Sequence, residues 1–209
     1  MVIRMKENLK FAFHIIFHPF DGFWDMKREG KGRLHIPLIF MALLILSNIL
    51  SAQITGFLFN TKNQATVDIM FEIGKVLIVF LLFCVANWSV TTLMSGEGTF
   101  KDIVMTLGYA CLPIIIIQLP VAVISNIATY SEEVYINAAT VISWIWFFWL
   151  LFTGIMTIHQ YSIGKMLFTI VLTAVAMAAL IFVYLLFMSL FTQLVSFIFS
   201  IYKELVLRT

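Results

Sequence analysis

Five long apolar stretches, separated by short polar segments, dominate the pattern of the chain. They cover residues 36–59, 73–94, 103–127, 138–158 and 166–199. A helix needs about 20 apolar residues to cross the roughly 30 Å hydrocarbon core of a bilayer. Because backbone groups in hydrocarbon must be hydrogen-bonded within their own segment, each stretch is predicted to be a transmembrane helix. The sequence therefore predicts an all-α fold, a polytopic integral membrane bundle of five transmembrane helices.

The polar connections support these boundaries. Residues 60–64 separate the first two stretches, and residues 130–133 and 159–165 separate the later ones. Residues 95–98 contain two glycines and are predicted to form a tight turn. Thr99 and Asp102 follow with the spacing of a capping box, in which Asp replaces the usual Glu or Gln. The third helix is predicted to begin there.

The last stretch is too long for one upright span. It could tilt in the bilayer, or it could end near Met188 and continue along the membrane surface over residues 189–207. The second alternative is favoured because Gln193, Lys203 and Glu204 reintroduce polar side chains. The predicted organisation is an N-terminal segment over residues 1–35, a five-helix domain over residues 36–190 and an interfacial tail over residues 191–209.

Residues 2–20 have the periodicity of an amphipathic helix. The apolar positions are Met5, Leu9, Phe13, Ile16 and Phe20, and the polar ones are Lys6, Glu7, Lys10, His14 and His18. Lysine on one face and phenylalanine on the other are typical of a helix that lies in the membrane interface. Each cation close to an anionic membrane surface gains about 1 kcal/mol. The candidates for binding anionic lipid headgroups are Lys27, Arg28, Lys31 and Arg33.

Composition agrees with a membrane protein and excludes an ordinary soluble one. Hydrophobic residues make up 62% of the chain and charged residues 11%, whereas soluble domains have about 45–50% and about 25%. Seven of the thirteen Lys and Arg residues precede position 36. We predict a multi-pass protein of the cell (plasma) membrane, and positive charge marks the cytoplasmic side of such proteins. Its N-terminus is expected to be cytoplasmic and, after five spans, its C-terminus extracytoplasmic.

Candidate chemistry is sparse. The chain contains no HExxH, no GxSxG and no glycine-rich phosphate loop, so we expect no catalytic residue, no enzymatic activity and no cofactor. His14 and His18 are one turn apart, but two histidines without further ligands are an unconvincing metal site, and no metal is expected. Nucleic acid is not an expected partner. The polar residues inside the spans are predicted to hydrogen-bond between helices; they are Asn48, Gln53, Asn87, Gln118 and Asn126.

Two segments are candidates for function. Residues 18–25 combine a proline, a glycine, two aspartates and three aromatic residues, which is unusual for a linker. The partner-binding candidates there are Pro19, Phe20, Asp21, Gly22, Phe23, Trp24 and Asp25. In the third span, Pro113 and Pro120 each remove a backbone donor and are predicted to kink the helix. The kink serves either packing, which we favour, or the opening of a lateral cavity.

The layout resembles the Yip1 family of five-span membrane proteins. Three features carry the resemblance: the aromatic segment 21–24 before the first span, the turn 96–100, and Gly108-Tyr109 with Pro113 four residues after the tyrosine. The resemblance implies a five-helix domain with the N-terminus inside and the C-terminus outside, in which Gly108, Tyr109, Pro113 and Pro120 would serve helix packing or kinking. Eukaryotic members act in membrane trafficking and engage Rab GTPases and each other. With about 35 residues before its first span, this chain looks like a bacterial member and gives little support for GTPase binding.

Two functions are consistent with these observations. The favoured one is a non-enzymatic membrane adaptor or accessory protein that associates with another membrane protein or with itself. The alternative is a passive permeation or lipid-handling protein that uses a groove at the kinked third span.

Overall fold

The structure, a computed structural model, describes residues 2–60 and 68–207. Within these ranges the side chains are described from residue 7 onward, except that of residue 205. The side chains of Met5 and Lys6 on the predicted amphipathic face, and residues 61–64 of the first connection, therefore lie outside what is described. The helices are α1 (Val2–Phe17), α2 (Pro19–Arg28), α3 (His35–Ile54), α4 (Ile69–Leu93), α5 (Phe100–Ala110), α6 (Leu112–Ile124), α7 (Glu133–His159) and α8 (Ile163–Leu207). A short 3-10 turn, Tyr130–Glu132, precedes α7.

The prediction of five spans is confirmed. Within the described ranges, five helical segments are long and apolar enough to cross a membrane: His35–Ile54, Ile69–Leu93, Phe100–Ile124, Tyr130–His159 and Ile163–Glu204. The third span consists of α5 and α6, which meet at Cys111. Pro113 has no N–H to donate to the carbonyl one turn earlier, so the helix is interrupted just before it. The predicted capping box of Thr99 and Asp102 is present at the start of α5.

The loops alternate between two ends of the bundle. At the first, called here the basic end, residues 27–33, 95–101 and 159–165 come together: Arg28 donates to Glu97 at 2.7 Å, and the Gly98 N–H donates to Nδ1 of His159 at 3.1 Å. At the far end, the Gly56 N–H donates to Oγ of Ser125 at 2.8 Å. The pairing of loops is therefore the one that the five-span topology predicts.

The third span lies at the centre of the bundle. In its most apolar stretch 56% of the residues are buried, a larger share than in any other span. Gly108 lies so close to α3 that a β-carbon there would approach the Cα of Pro37 to 2.8 Å. Small residues permit such close helix contacts in membranes.

Four of the five polar residues predicted to hydrogen-bond between helices do so, whereas Gln53 is exposed at the surface. Nε2 of Gln118 donates to Oδ1 of Asn48 at 3.0 Å, which joins α6 to α3. Nδ2 of Asn87 donates to Oγ1 of Thr173 at 3.2 Å, which joins α4 to α8. Nδ2 of Asn126 donates to the carbonyl oxygen of Ile54 at 2.7 Å. Such bonds are favourable where water is absent.

The N-terminal helix is present, but it ends at Phe17, and α2 follows after His18. Of the predicted apolar stripe, Ile16 is buried, whereas Leu9, Phe13 and Phe20 are exposed. The buried residues described in α1 are Ala12, Ile15 and Ile16. In a membrane both neighbouring protein and lipid are apolar, so periodicity alone does not identify the face that packs.

The last helix is continuous. Helix α8 has 45 residues and passes Met188 without interruption, so the predicted division there does not coincide with a helix end. Its first part packs through Met166, Thr169 and Thr173, which are all buried. From residue 178 to residue 207 every described side chain except the half-buried Val195 is exposed.

Candidate functional site: the N-terminal segment and its contacts with the bundle

The candidate segment 19–25 forms the first two turns of α2. Pro19 is in the first turn, where its missing N–H costs nothing and its fixed φ favours a helix. Asp21 is also in the first turn, and Lys27 and Arg28 are in the last. This order of charges complements the helix dipole, negative near the N-terminus and positive near the C-terminus. The sequence therefore favours a short helix at this place.

Phe23 fixes α2 to the bundle. Its ring is fully buried. It packs so closely against Gly154 of α7 that a β-carbon on this glycine would lie only 2.9 Å from two of the ring carbons. The γ-methyl group of Thr106 in α5 would be 2.4 Å from the same point. Three helices thus meet around one glycine. Close packing of this kind is what holds helices together in a membrane, so this contact is a main reason why α2 lies on the bundle.

The partner-binding candidates divide into buried and accessible residues. Gly22 and Phe23 are buried, and Gly22 packs against Ile15 of α1. Pro19 and Asp25 are half-buried, whereas Phe20, Asp21 and Trp24 are exposed. A partner could reach the exposed residues without any rearrangement, but it could not reach Phe23.

Helix α2 lies alongside α7 and runs in the same direction. The rings of Phe17 and Trp146 are 6.0 Å apart, and those of Phe20 and Trp149 are 6.4 Å apart. Near the other end of α2, Nζ of Lys27 donates to the carbonyl oxygen of Ile158. The contacts advance together along both helices towards the basic end.

The four headgroup candidates lie at the basic end, and three of them are paired within the protein. Glu97 accepts a hydrogen bond from Arg28 at 2.7 Å and lies 3.7 Å from Nζ of Lys27. Lys31 is paired with Asp25 and Glu29, whereas Arg33 is exposed. Burial lowers the pKa of Lys27 and outweighs the opposing effect of Glu97, while the hydrogen bond to Asp25 raises the pKa of Lys31.

His159, which the sequence placed only in a loop, organises the basic end. Its ring is buried and lies against Gly96 and Gly98, where no β-carbon would fit. Nδ1 accepts the hydrogen bond from Gly98, and Nε2 has no partner among the described residues. The ring also stacks on Tyr161, whose hydroxyl donates to the carbonyl oxygen of Thr91 at 3.3 Å.

These contacts explain why the 95–98 turn contains two glycines. They provide space for an imidazole that joins the α4–α5 turn to the end of α7. The combination of two glycines with a histidine at the end of another span was the signal available in the sequence. Burial raises the pKa of Tyr161, so its hydroxyl remains a donor at neutral pH.

Comparison with known families decides the identity of the fold. The Yip1 domain matches residues 13–187, which is most of the chain. The chain belongs to the Yip1 family. No curated protein and no solved structure is significantly similar to it. The Yip1 match begins inside α1 and includes the whole of α2, and it ends inside α8.

The residues of the third span that suggested the Yip1 family lie mostly in the interior of the helix bundle. Gly108, Tyr109 and Pro113 are buried, and the Tyr109 ring packs edge-on against Phe11 of α1 and Phe40 of α3, with centroids 6.0 and 5.7 Å apart. Pro120 is exposed. In this Yip1 domain the interrupted part of the third span is therefore surrounded by other helices.

The histidine pair of the Yip1 domain is at its surface. The rings of His14 and His18 stack with centroids 5.2 Å apart, and both side chains are exposed. Among the described residues no group of three or more His, Cys, Asp or Glu side chains is arranged to hold a metal ion. Cys84 and Cys111 are buried free thiols.

Proposed function

We propose that this Yip1-family membrane protein is a non-enzymatic adaptor that binds another membrane protein through the exposed part of α8. The observation that carries the proposal is the length of that helix. At 1.5 Å per residue, its 45 residues extend over about 68 Å, whereas a bilayer core is about 30 Å thick. The part that packs against α4 ends near residue 177.

The exposed part of α8 has a polar stripe on an otherwise apolar surface. Ser189, Gln193, Ser196 and Ser200 recur at spacings of three and four, and Thr192 lies beside them. Ser189, Gln193 and Ser196 line a shallow groove together with Met188 and Thr192. The opposite side presents Phe191 and Ile198. Hydroxyl and amide side chains can hydrogen-bond to a neighbouring helix, so the stripe suits a helix of a partner protein.

The proposed location is the cell membrane, with the basic end in the cytoplasm. The excess of Lys and Arg in the segments 27–33, 95–101 and 159–165 supports this orientation. Since α8 starts at the basic end, its exposed part then lies towards the extracytoplasmic side. The alternative of a permeation or lipid-handling groove has less support, because Pro113 is buried and other helices surround the interruption of the third span.

A photo-crosslinking amino acid tests the adaptor function. It is placed at Gln193 on the stripe, at Ile198 on the opposite side and at Trp24 on α2, and the adducts formed in native membranes are identified by mass spectrometry. We expect one membrane protein to be recovered from Gln193 and not from Ile198, and its recovery to fall when Ser196 is replaced by Leu. Adducts to lipid alone at both α8 positions would refute the use of α8. A protein adduct from Trp24 alone would move the binding surface to α2.

A further inference from the structure

Phe17 and Phe20 lie far from the basic end along α7. Phe17 contacts Trp146, which is thirteen residues after Glu133 and thirteen before His159 and is thus the central residue of α7. Phe20 contacts Trp149, ten residues before His159. Ten residues of helix correspond to about 15 Å, and half of the hydrocarbon core is also about 15 Å thick. These contacts place the junction of α1 and α2 beside the middle of a membrane span.

The surface around this junction is apolar on both elements. Ile145 and Phe148 of α7 are exposed at the same level, on a helix that crosses the membrane. Phe17 is 64% exposed, and Phe13 and Phe20 are about half exposed. The medium that surrounds the middle of α7 also surrounds these three rings, and for a transmembrane helix that medium is hydrocarbon.

The ten residues around the junction carry no acidic side chain, lysine or arginine. Residues 11–20 contain no Asp, Glu, Lys or Arg, and the flanking charges are Lys10 and Asp21. The N–H of His18 donates to the carbonyl of His14 at 2.8 Å, and the N–H of Gly22 donates to that of His18 at 2.9 Å. Pro19 has no N–H to satisfy. The donors of His18 and Gly22, on the two sides of the break, are therefore paired within the segment, which is favourable inside a membrane.

We infer that α1 and α2 form a re-entrant element of the membrane domain, whose exposed phenylalanines contact the acyl chains of the leaflet at the basic end. Helix α2 rises beside α7 from this depth, and Lys27 and Arg28 reach Glu97 at the membrane surface. A helix lying in the membrane plane would keep all its residues at one mean depth, whereas α2 changes depth by about 1.5 Å per residue. This inference goes beyond the adaptor proposal and does not depend on it.

Spin labels measure the depth directly. In a Cys84→Ala, Cys111→Ala background, single cysteines at Phe17, Phe20, Trp24 and Glu29 are labelled, and the protein is reconstituted into phosphatidylcholine–phosphatidylglycerol vesicles. Ile145→Cys is the reference for a lipid-facing site. Oxygen, which concentrates in hydrocarbon, and a water-soluble nickel chelate report the surroundings of each label. We expect the ratio of oxygen to nickel collisions to decrease in the order Phe17, Phe20, Trp24, Glu29, with Phe17 several-fold above Glu29 and close to Ile145.

Three results would overturn the inference. Equal ratios with no order along the chain would indicate a helix in the membrane plane. A ratio at Phe17 equal to that at Glu29 would indicate a segment in water. Low collision rates with both reagents at Phe17 would indicate that protein, such as a second copy, covers it. If the Phe17 variant does not fold, Phe13→Cys carries the same expectation.

Discussion

Close packing in this protein depends on individual glycines. Gly108 and Gly154 both lie where a β-carbon would come within 3 Å of another helix, but their neighbours differ. At Gly108 the neighbouring atoms include the backbone of Pro37, which can move only if α3 moves. At Gly154 they are the side chains of Thr106 and Phe23. Gly74 of α4, in contrast, has nothing within 4 Å of the same position.

Gly108→Ala is expected to lower the free energy of unfolding by about 1–3 kcal/mol, the usual cost of forcing extra volume into a packed interior. The measurement is the thermal transition in detergent, followed with a maleimide dye that reacts with Cys84 and Cys111 as they become exposed. Gly74→Ala is the matched control and should leave the transition unchanged or raise it, because alanine stabilises a helix interior relative to glycine. Equal transitions for the two variants would contradict the close contact between α3 and α5.

At the scale of the helix, α2 is held by one side of its surface. Phe23 and Met26 are buried, whereas Trp24 is 45% exposed and is covered in part by Arg28, whose guanidinium lies 5.4 Å from the indole. Adjacent aromatic residues in the same sequence motif therefore have different roles: the first attaches the helix, and the second is available at the surface.

Phe23→Ala is expected to destabilise the protein by about 3–5 kcal/mol, because it leaves a cavity between α2, α5 and α7. Trp24→Ala should cost less than about 1 kcal/mol, the range for surface changes and for an exposed cation–π contact. The same thermal assay compares the two. A larger loss for Trp24 than for Phe23 would show that α2 is attached by its other side.

Helix α8 is expected to tolerate loss of its outer part. A chain that ends at Phe187 keeps 25 residues of α8 from Ile163 onward, enough to cross a bilayer, and it keeps the buried contacts of Met166, Thr169 and Thr173. We expect it to insert and to show a thermal transition within a few degrees of that of the full chain. The shortened chain lacks Gln193 and the rest of the polar stripe, so it should no longer bind the partner that is recovered from Gln193 of the full chain. Failure of the shortened chain to insert would assign a structural role to residues 188–207.

For the whole molecule, the five spans could be predicted from the sequence because hydrocarbon imposes length and apolarity on each of them. The capping box at Thr99 was predictable because its bonds are local. The position of α2 was not, since the contacts of Phe23 with Thr106 and Gly154 join residues far apart in the chain. The amphipathic pattern of residues 2–20 predicted a helix but not the face by which it packs, because lipid and protein both accept phenylalanine. The role of His159 was also missed, because its partners Gly96 and Gly98 are far from it in the sequence.

The orientation of the whole molecule is open to a labelling experiment. Single cysteines at Glu29 and Ser162 report the basic end, and those at Phe57 and Ser131 report the far end; all four positions are exposed. In cells, a membrane-impermeant maleimide is expected to label only Phe57→Cys and Ser131→Cys, and to label the other two after permeabilisation. Labelling of the basic end in intact cells would reverse the proposed topology. Labelling of one position from each end would contradict the five-span arrangement itself.

The position of α2 also has a consequence for biosynthesis. Lys27 and Ile158, which are in contact in the folded protein, are separated by 131 residues. At a translation rate of about 5–20 residues per second, roughly 7–26 s pass between the synthesis of one and of the other. During that interval the N-terminal helices have left the ribosome, but the helix against which α2 packs does not yet exist. The amphipathic character of α1 is thus expected to matter most to the nascent chain, because it would keep the segment at the membrane surface until the fourth span is synthesised.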